Sequence, residues 1–207
     1  LFRLRFDRSI PSVASPVLVI ASGNPHKVAE IRSMLELVDL TVLQQPDGLE
    51  IEETGDTYAA NARLKAEAVA ASTGHWALAD DSGIEVDALD GRPGLFSARY
   101  AATDPERIQR LLAELGDSLY RGARFVSAMA LADPSGRTRL ESEGVCHGRI
   151  LAAPFGEGPG YDPIFHVREA GTSYALMPQH LRLKLGSRGK AARQIAPGLK
   201  HLLGMEP

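Results

Sequence analysis

The hydrophobic pattern changes period abruptly at one point, and that change restricts the fold more than any other feature. Val17, Leu18, Val19 and Ile20 form an unbroken apolar run, as in a strand buried on both faces. Beyond Ser22-Gly23-Asn24-Pro25, the apolar residues Val28, Ile31, Leu35 and Val38 recur at helical spacing, with Glu30, Arg32 and Glu36 between them. A strand, a glycine turn and a helix opening near Pro25 make the start of a β–α unit, and such units build an α/β sheet.

The rest of the pattern extends that reading. Residues 41–43 predict a second strand. Residues 56–72 are rich in alanine and carry Leu64, Lys65 and Glu67, which predicts a helix stopped by Gly74. Residues 76–79 read as a short buried strand running into a turn, Asp80-Asp81-Ser82-Gly83, with Ile84 and Val86 alternating beyond it. Asp104-Pro105 opens a helix with Asp104 as its cap, a stripe of Ile108, Leu111, Leu112 and Leu115, and Gly116 at its end. Residues 125–132 and 137–145 flank Asp133-Pro134-Ser135-Gly136 as a β-hairpin would. A Gly/Pro-rich loop over 154–160 precedes a strand at 163–167, and a C-terminal helix over 190–203 is interrupted at Pro197-Gly198. These elements predict an α/β fold around a mixed β-sheet flanked by helices.

Composition bounds the function. With 207 residues, 44% of them hydrophobic, the chain can fill one sizeable core. We expect a single domain over 17–207 behind a poorly ordered N-terminal extension over 1–16. Lys and Arg number 23 against 26 Asp and Glu, so no basic field exists to grip nucleic acid. No apolar run approaches the ~18 residues of a membrane helix. Cys146 is the lone cysteine, which points to a reducing compartment and a cytoplasmic protein.

Five stretches carry groups suited to chemistry. Ser22, Gly23, Asn24, Pro25, His26 and Lys27 lie between a strand and a helix, where unsatisfied backbone N–H groups and the helix dipole favour an anion. The same residues also suit a plain turn whose Asn caps the helix. Glu52-Glu53 before Thr54-Gly55, and Asp80-Asp81 before Ser82-Gly83 with Asp81 at the predicted end of a strand, offer hard oxygens for Mg²⁺, although Asp-Asp-Ser-Gly equally suits an ordinary turn and adjacent acids a solvated edge. Pro159, Gly160, Tyr161 and Asp162 let the chain pass close to a flat ligand, with Tyr161 offering a face, or simply close a loop. Ser187-Arg188-Gly189-Lys190 sets Arg188 near a phosphate or base edge, or on the surface.

Taken in order, Ser22-Gly23-Asn24-x-x-Lys27, Glu53-Thr54-Gly55, Asn61-Ala62-x-x-Lys65-Ala66 and Ala79-Asp80-Asp81-Ser82-Gly83 form a distinctive set. Gly91-x-Pro93-Gly94-x-x-Ser97-Ala98-Arg99-Tyr100 and Gly160-Tyr161-Asp162-Pro163-Ile164-Phe165 follow. The chain resembles the dITP/XTP (inosine triphosphate) pyrophosphatase family from about Val17 to the C-terminal helix. The resemblance implies an elongated two-lobed fold, commonly homodimeric. It also implies Mg²⁺-dependent hydrolysis of non-standard purine nucleoside triphosphates such as ITP, dITP and XTP to a monophosphate and pyrophosphate.

By resemblance, Ser22 through Lys27 hold the triphosphate, with Lys65 on the phosphate side. Glu53 and Asp81 bind the metal, Asp81 accepts the proton, and Ser82 touches substrate. Pro159-Gly160-Tyr161-Asp162 stands near the base in place of the family's Phe-Gly-Tyr-Asp. The last motif departs from the family: Arg182 replaces a lysine and Ser187 a histidine, while Arg188 remains to donate to a 6-oxo group. That departure suggests the alternative, a catalytically weak purine-nucleotide-binding or sensor protein on the same scaffold.

Overall fold

Residues 15–35 and 39–204 are described by the computed structural model. All of the expected N-terminal extension except residues 15 and 16 therefore lies outside the described residues. Strand β1 (Val17–Ile20) forms where the apolar run predicts it, and helix α1 (Pro25–Met34) begins at Pro25. Strand β2 (Thr41–Gln44) and strand β3 (Trp76–Val86) flank β1 in parallel. Strands β4 (Gly122–Ala132), β5 (Thr138–Ile150), β6 (Phe165–Val167) and β7 (Thr172–Ser173) then add antiparallel. The mixed sheet has seven strands in the order β2-β1-β3-β4-β5-β6-β7.

Alternation along the strands sorts the helices. Leu18, Ile20 and Leu78 face α1 and helix α5 (Ser187–Leu202), packing with Ile31, Ile195 and Leu199. Val19, Ala77 and Ala79 face helix α2 (Tyr58–Thr73), where Ala62, Ala66 and Ala70 complete a small-residue contact. A second core forms toward the other end of β3, β4 and β5. There Ile84 and Val86 meet Leu111 and Leu115 of helix α3 (Asp104–Leu115), along with Phe165 and Tyr174. The long strands thus run through two lobes, and helix α4 (Gln179–Leu185) lies between its neighbours at the cleft.

Three local expectations are corrected. Asp80-Asp81-Ser82-Gly83 is no turn: the four residues lie inside β3, opposite Met129, Ala128, Ser127 and Val126 of β4. The antiparallel ladder overrides their turn propensity. What ends here is β1, whose pairing with β3 stops at Ile20–Leu78. Helix α3 is capped by Thr103 rather than Asp104: Thr103 Oγ1 accepts from the N–H of Glu106, whose carboxylate accepts from the N–H of Thr103. Finally, α5 runs through Pro197, where the ring removes one backbone donor while Gly198 lies against the Leu140 side chain of β5.

The hairpin turn forms as expected, with Asp133 as its anchor. Its Oδ1 accepts from the N–H and the hydroxyl of Ser135 at 2.9 and 2.6 Å, and Gly136 supplies the left-handed residue at φ 78°. These hydrogen bonds, the Ser135 hydroxyl first, with Arg139 beside them, hold the Asp133 carboxyl down at about 2. A depressed acid contributes stability above its unfolded value of about 3.9 and loses it as pH falls through the folded one. Asp133→Ala is therefore expected to lower the melting temperature at pH 7, with the gap from wild type closing between pH 4 and 2. A gap independent of pH in thermal denaturation would refute this.

Candidate active site

Two acids remote in sequence meet on one ammonium. Lys65 of α2 lies 2.9 Å from Glu53 Oε1 and 3.1 Å from Asp81 Oδ1, and also donates to the Asp80 carbonyl at 2.9 Å. Helical spacing puts Asn61 one turn before Lys65 on the same face. Asn61 Nδ2 donates to Asp81 Oδ2 at 3.2 Å while its Oδ1 accepts from the N–H of Gly55 at 2.8 Å. Gly55 is required, since a Cβ there would stand 2.7 Å from Asn61 Oδ1. The Thr-Gly and Asn-Ala-x-x-Lys motifs are therefore parts of one support for Asp81.

Electrostatics separate the two acids. Burial pushes the Asp81 carboxyl above its ordinary value, with the neighbouring Glu53 adding to it and Lys65 only partly opposing. Burial also raises Glu53, but Lys65 and Arg99 outweigh it and hold that carboxyl low. Lys65 stays firmly protonated because Asp81 and Glu53 overcome the burial of its ammonium. Three hard oxygens converging on one cation are the donor set an oxygen-seeking divalent ion uses, so Glu53 and Asp81 fit Mg²⁺. Among the described residues no three His, Cys, Asp or Glu side chains gather as a metal cluster. A metal here would therefore complete its shell from water and substrate oxygens.

Asp80 points to the opposite face of β3, as adjacent strand residues must. Its side chain is fully buried, and Oδ2 lies 3.0 Å from Lys27 Nζ and 3.2 Å from Arg188 Nε, with the Ser82 hydroxyl donating at 3.3 Å. Arg188 also pairs with Glu30 and donates to Ser82 Oγ at 3.0 Å. Burial works against charge on Asp80, but Arg188 and Lys27 hold its carboxyl far below the usual range. The opening turn behaves as a capped helix: Asn24 Oδ1 accepts from the N–H groups of His26 and Lys27, and Ser22 Oγ accepts from that of Asn24. Pro25 is the first helical residue, and Gly23 leaves the turn open, with nothing among the described residues within 4 Å of a notional Cβ. An anion here finds Lys27 as its principal donor, because the chain already uses those amides.

From Lys27 a cleft of about 630 Å³ runs between α1, α4 and α5 and the loop before β6, a volume typical of small-molecule sites. Asn24, His26, Ser82, Ser187 and Arg188 line it together with Pro159, Gly160, Tyr161, Asp162 and Arg182. Tyr161 is buried, and its hydroxyl donates to the Ser97 carbonyl at 3.0 Å, so its ring belongs to the wall. Arg182 is heavily committed, donating to Asp162 and to the carbonyls of Met177 and Ala175 beside the Tyr174 ring. Burial raises the Asp162 carboxyl to about 6 despite Arg182. Ser187 shares a 2.8 Å hydrogen bond with the Ser127 hydroxyl.

The structure thus joins Glu53, Lys65 and Asp81 in one cluster and Lys27, Ser82 and Arg188 in a second, with the 159–162 loop, Arg182 and Ser187 along the cleft. Ser22, Gly23 and Pro25 stand in the turn at its mouth rather than in its lining. Sequence reasoning missed Asn61, Glu30, Arg99 and Ser127 as site residues, and gave Asp80 no place apart from Asp81. The i, i+4 relation to Lys65 was a readable signal for Asn61, and strand alternation would have separated Asp80 from Asp81.

Sheet and cleft together define an open α/β fold with lysines and buried carboxylates gathered on β3 just beyond the end of the parallel strand β1, where ligand crevices form in such sheets. Comparison with known proteins makes this specific. The sequence profile of the Ham1 family matches residues 18–197, and the chain belongs to that family. It is 52% identical over 192 residues to a protein of Synechococcus sp. (strain CC9311) named dITP/XTP pyrophosphatase, covering 92% of this chain and 93% of the relative. A relative of the same name from Nostoc sp. (strain PCC 7120 / SAG 25.82 / UTEX 2576) is 48% identical over 188 residues, 90% of this chain and 96% of its own. A solved HAM1 protein from Coxiella burnetii superposes with a TM-score of 0.81 at 38% identity, covering 90% of this chain and 99% of that one. The Staphylococcus aureus Ham1 protein gives 0.80 at 34% identity, with the same coverage.

Close approach of α5 to β5 seats Arg188. A methyl group on Gly144 would meet the Ser187 carbonyl and lie 2.6 Å from the Ala191 nitrogen. Gly144→Ala is expected to cost about 1–3 kcal/mol in chemical denaturation, whereas Gly23→Ala, with open space around it, stays within about 0.5 kcal/mol of wild type. Equal effects at the two glycines would contradict this packing.

Proposed function

We propose that this enzyme hydrolyses non-standard purine nucleoside triphosphates, ITP, dITP and XTP, to the monophosphate and pyrophosphate, removing them from the nucleotide pool. The observation that carries the reading is the convergence of Glu53 and Asp81 on Lys65, beside a cleft of nucleotide size headed by Lys27. The names of the relatives from Synechococcus and Nostoc support it.

Lys27 and Lys65 offset the charge of the triphosphate, which otherwise repels an incoming nucleophile. Asp81, made more basic by burial and oriented by Asn61, takes a proton from the attacking water. The oxygen of that water bonds to the α phosphorus, and the bond to the α–β bridging oxygen breaks, so that pyrophosphate leaves. Mg²⁺ held by Glu53 and Asp81 would supply positive charge to the phosphate oxygens and acidify water. In the cleft Arg188 donates to the 6-oxo group of the purine, and Ser187 takes the place of a longer, ionisable side chain. Further parts of the proposal are a cytoplasmic location, for which a lone buried cysteine is the support, and a homodimer, for which the resemblance is. Among the described residues no helix is long and apolar enough to cross a membrane.

Incubation with ITP, XTP and GTP, with and without Mg²⁺, followed by identification of the phosphate product, tests the reaction. Pyrophosphate only in the presence of Mg²⁺ is the expected result; orthophosphate would mean a different hydrolase, and no product would favour a binder. Asp81→Asn is expected to keep nucleotide binding in calorimetry while losing about 10²–10⁴-fold in kcat. Base preference is read from kcat/KM: ITP is expected to exceed ATP, and parity would remove Arg188 as the reader of the 6-oxo group.

A further inference from the structure

Asp80 lies outside the catalytic pair yet holds the lysine on which phosphate recognition depends. Its carboxylate is shut off from solvent, and Oδ2 gathers Lys27 Nζ at 3.0 Å, Arg188 Nε at 3.2 Å and the Ser82 hydroxyl at 3.3 Å. Oδ1 is buried and has no hydrogen-bond partner among the described residues. The Lys27 side chain is about a quarter exposed, at 24%, and so is anchored at one end only. It can swing toward an anion in the cleft mouth, whereas Asp80 is fixed within the β3 ladder. Arg188 has Glu30 as a second anion; among the described residues Lys27 has Asp80 alone as an ion-pair partner.

We propose that Asp80 is a positioning residue that acts as an internal competitor for Lys27, setting the negative charge a ligand must carry before it is held. A ligand phosphate must draw Lys27 from a carboxylate already in place, so every anion binds less tightly than to a free ammonium. A triphosphate, which carries more negative charge than either product, overcomes that competition. A product carrying fewer charges is more easily released as Lys27 returns to Asp80. The inference rests on the proposed role of Lys27 as a phosphate ligand, and its sign distinguishes it from support of the fold. Loss of a purely structural residue weakens every ligand; loss of a competitor tightens them.

The test is calorimetric titration of wild type and Asp80→Asn with inorganic pyrophosphate and with tripolyphosphate, without turnover. Pyrophosphate is expected to bind the variant about tenfold more tightly, the effect of one charge-assisted contact, even though the variant melts at a lower temperature. Equal or weaker binding by the variant overturns the competitor role and leaves Asp80 a structural residue. Absence of tripolyphosphate binding to wild type instead sinks the phosphate reading of Lys27. Should Asp80→Asn fail to fold, a crystal structure of wild type with tripolyphosphate decides the matter. Lys27 Nζ transferred from Asp80 to a phosphate oxygen supports the proposal, and Lys27 still bonded to Asp80 refutes it.

Discussion

The ammonium of Lys65 is the point on which the rest of the site depends. It is largely buried, with 13% of its side chain exposed, and it balances Glu53 and Asp81 at once. Without it, two carboxylates from separate segments would face each other across a desolvated gap, where repulsion is strongest. The contact also fixes α2 against the sheet, since Lys65 reaches the Asp80 carbonyl. Small alanines on that helix face permit the approach. Packing and charge therefore specify the same position for α2, the kind of agreement between levels that favours a single native arrangement.

Much of the fold was readable because period and turn chemistry agreed. The change from a continuous apolar run to helical spacing marked β1 and α1, alanine content marked α2, and Asp133 with Gly136 marked the hairpin. What was hidden depended on neighbours in space. Asp80 through Gly83 have turn composition yet form strand, because β4 supplies a partner for each of them. Thr103 rather than Asp104 caps α3, since the choice turns on which side chain reaches Glu106, and Asp104 instead accepts from the N–H of Gly160 at 2.7 Å. Pro197 was a reasonable helix stop in isolation, but the apolar contacts of Ile195 and Leu199 carry α5 past it.

The site was legible as a set of motifs more than as separate residues. Glu53, Lys65 and Asp81 are legible in the motifs, whereas the separate place of Asp80 is not, because a turn gives no reason for adjacent acids to diverge. The departures from the family pattern have a structural setting. Ser187 hydrogen-bonds Ser127 in the cleft wall, and Arg182 bridges Asp162 and backbone carbonyls, a fork geometry a lysine does not reproduce. Nothing in the structure explains Pro159 in place of phenylalanine.

The alternating faces of β3 carry a further consequence. Asp80 and Asp81 serve different partners only because the strand's two-residue repeat sends them apart. Inserting or deleting one residue ahead of this stretch would turn each acid to the opposite face of the sheet, away from the lysine it now holds.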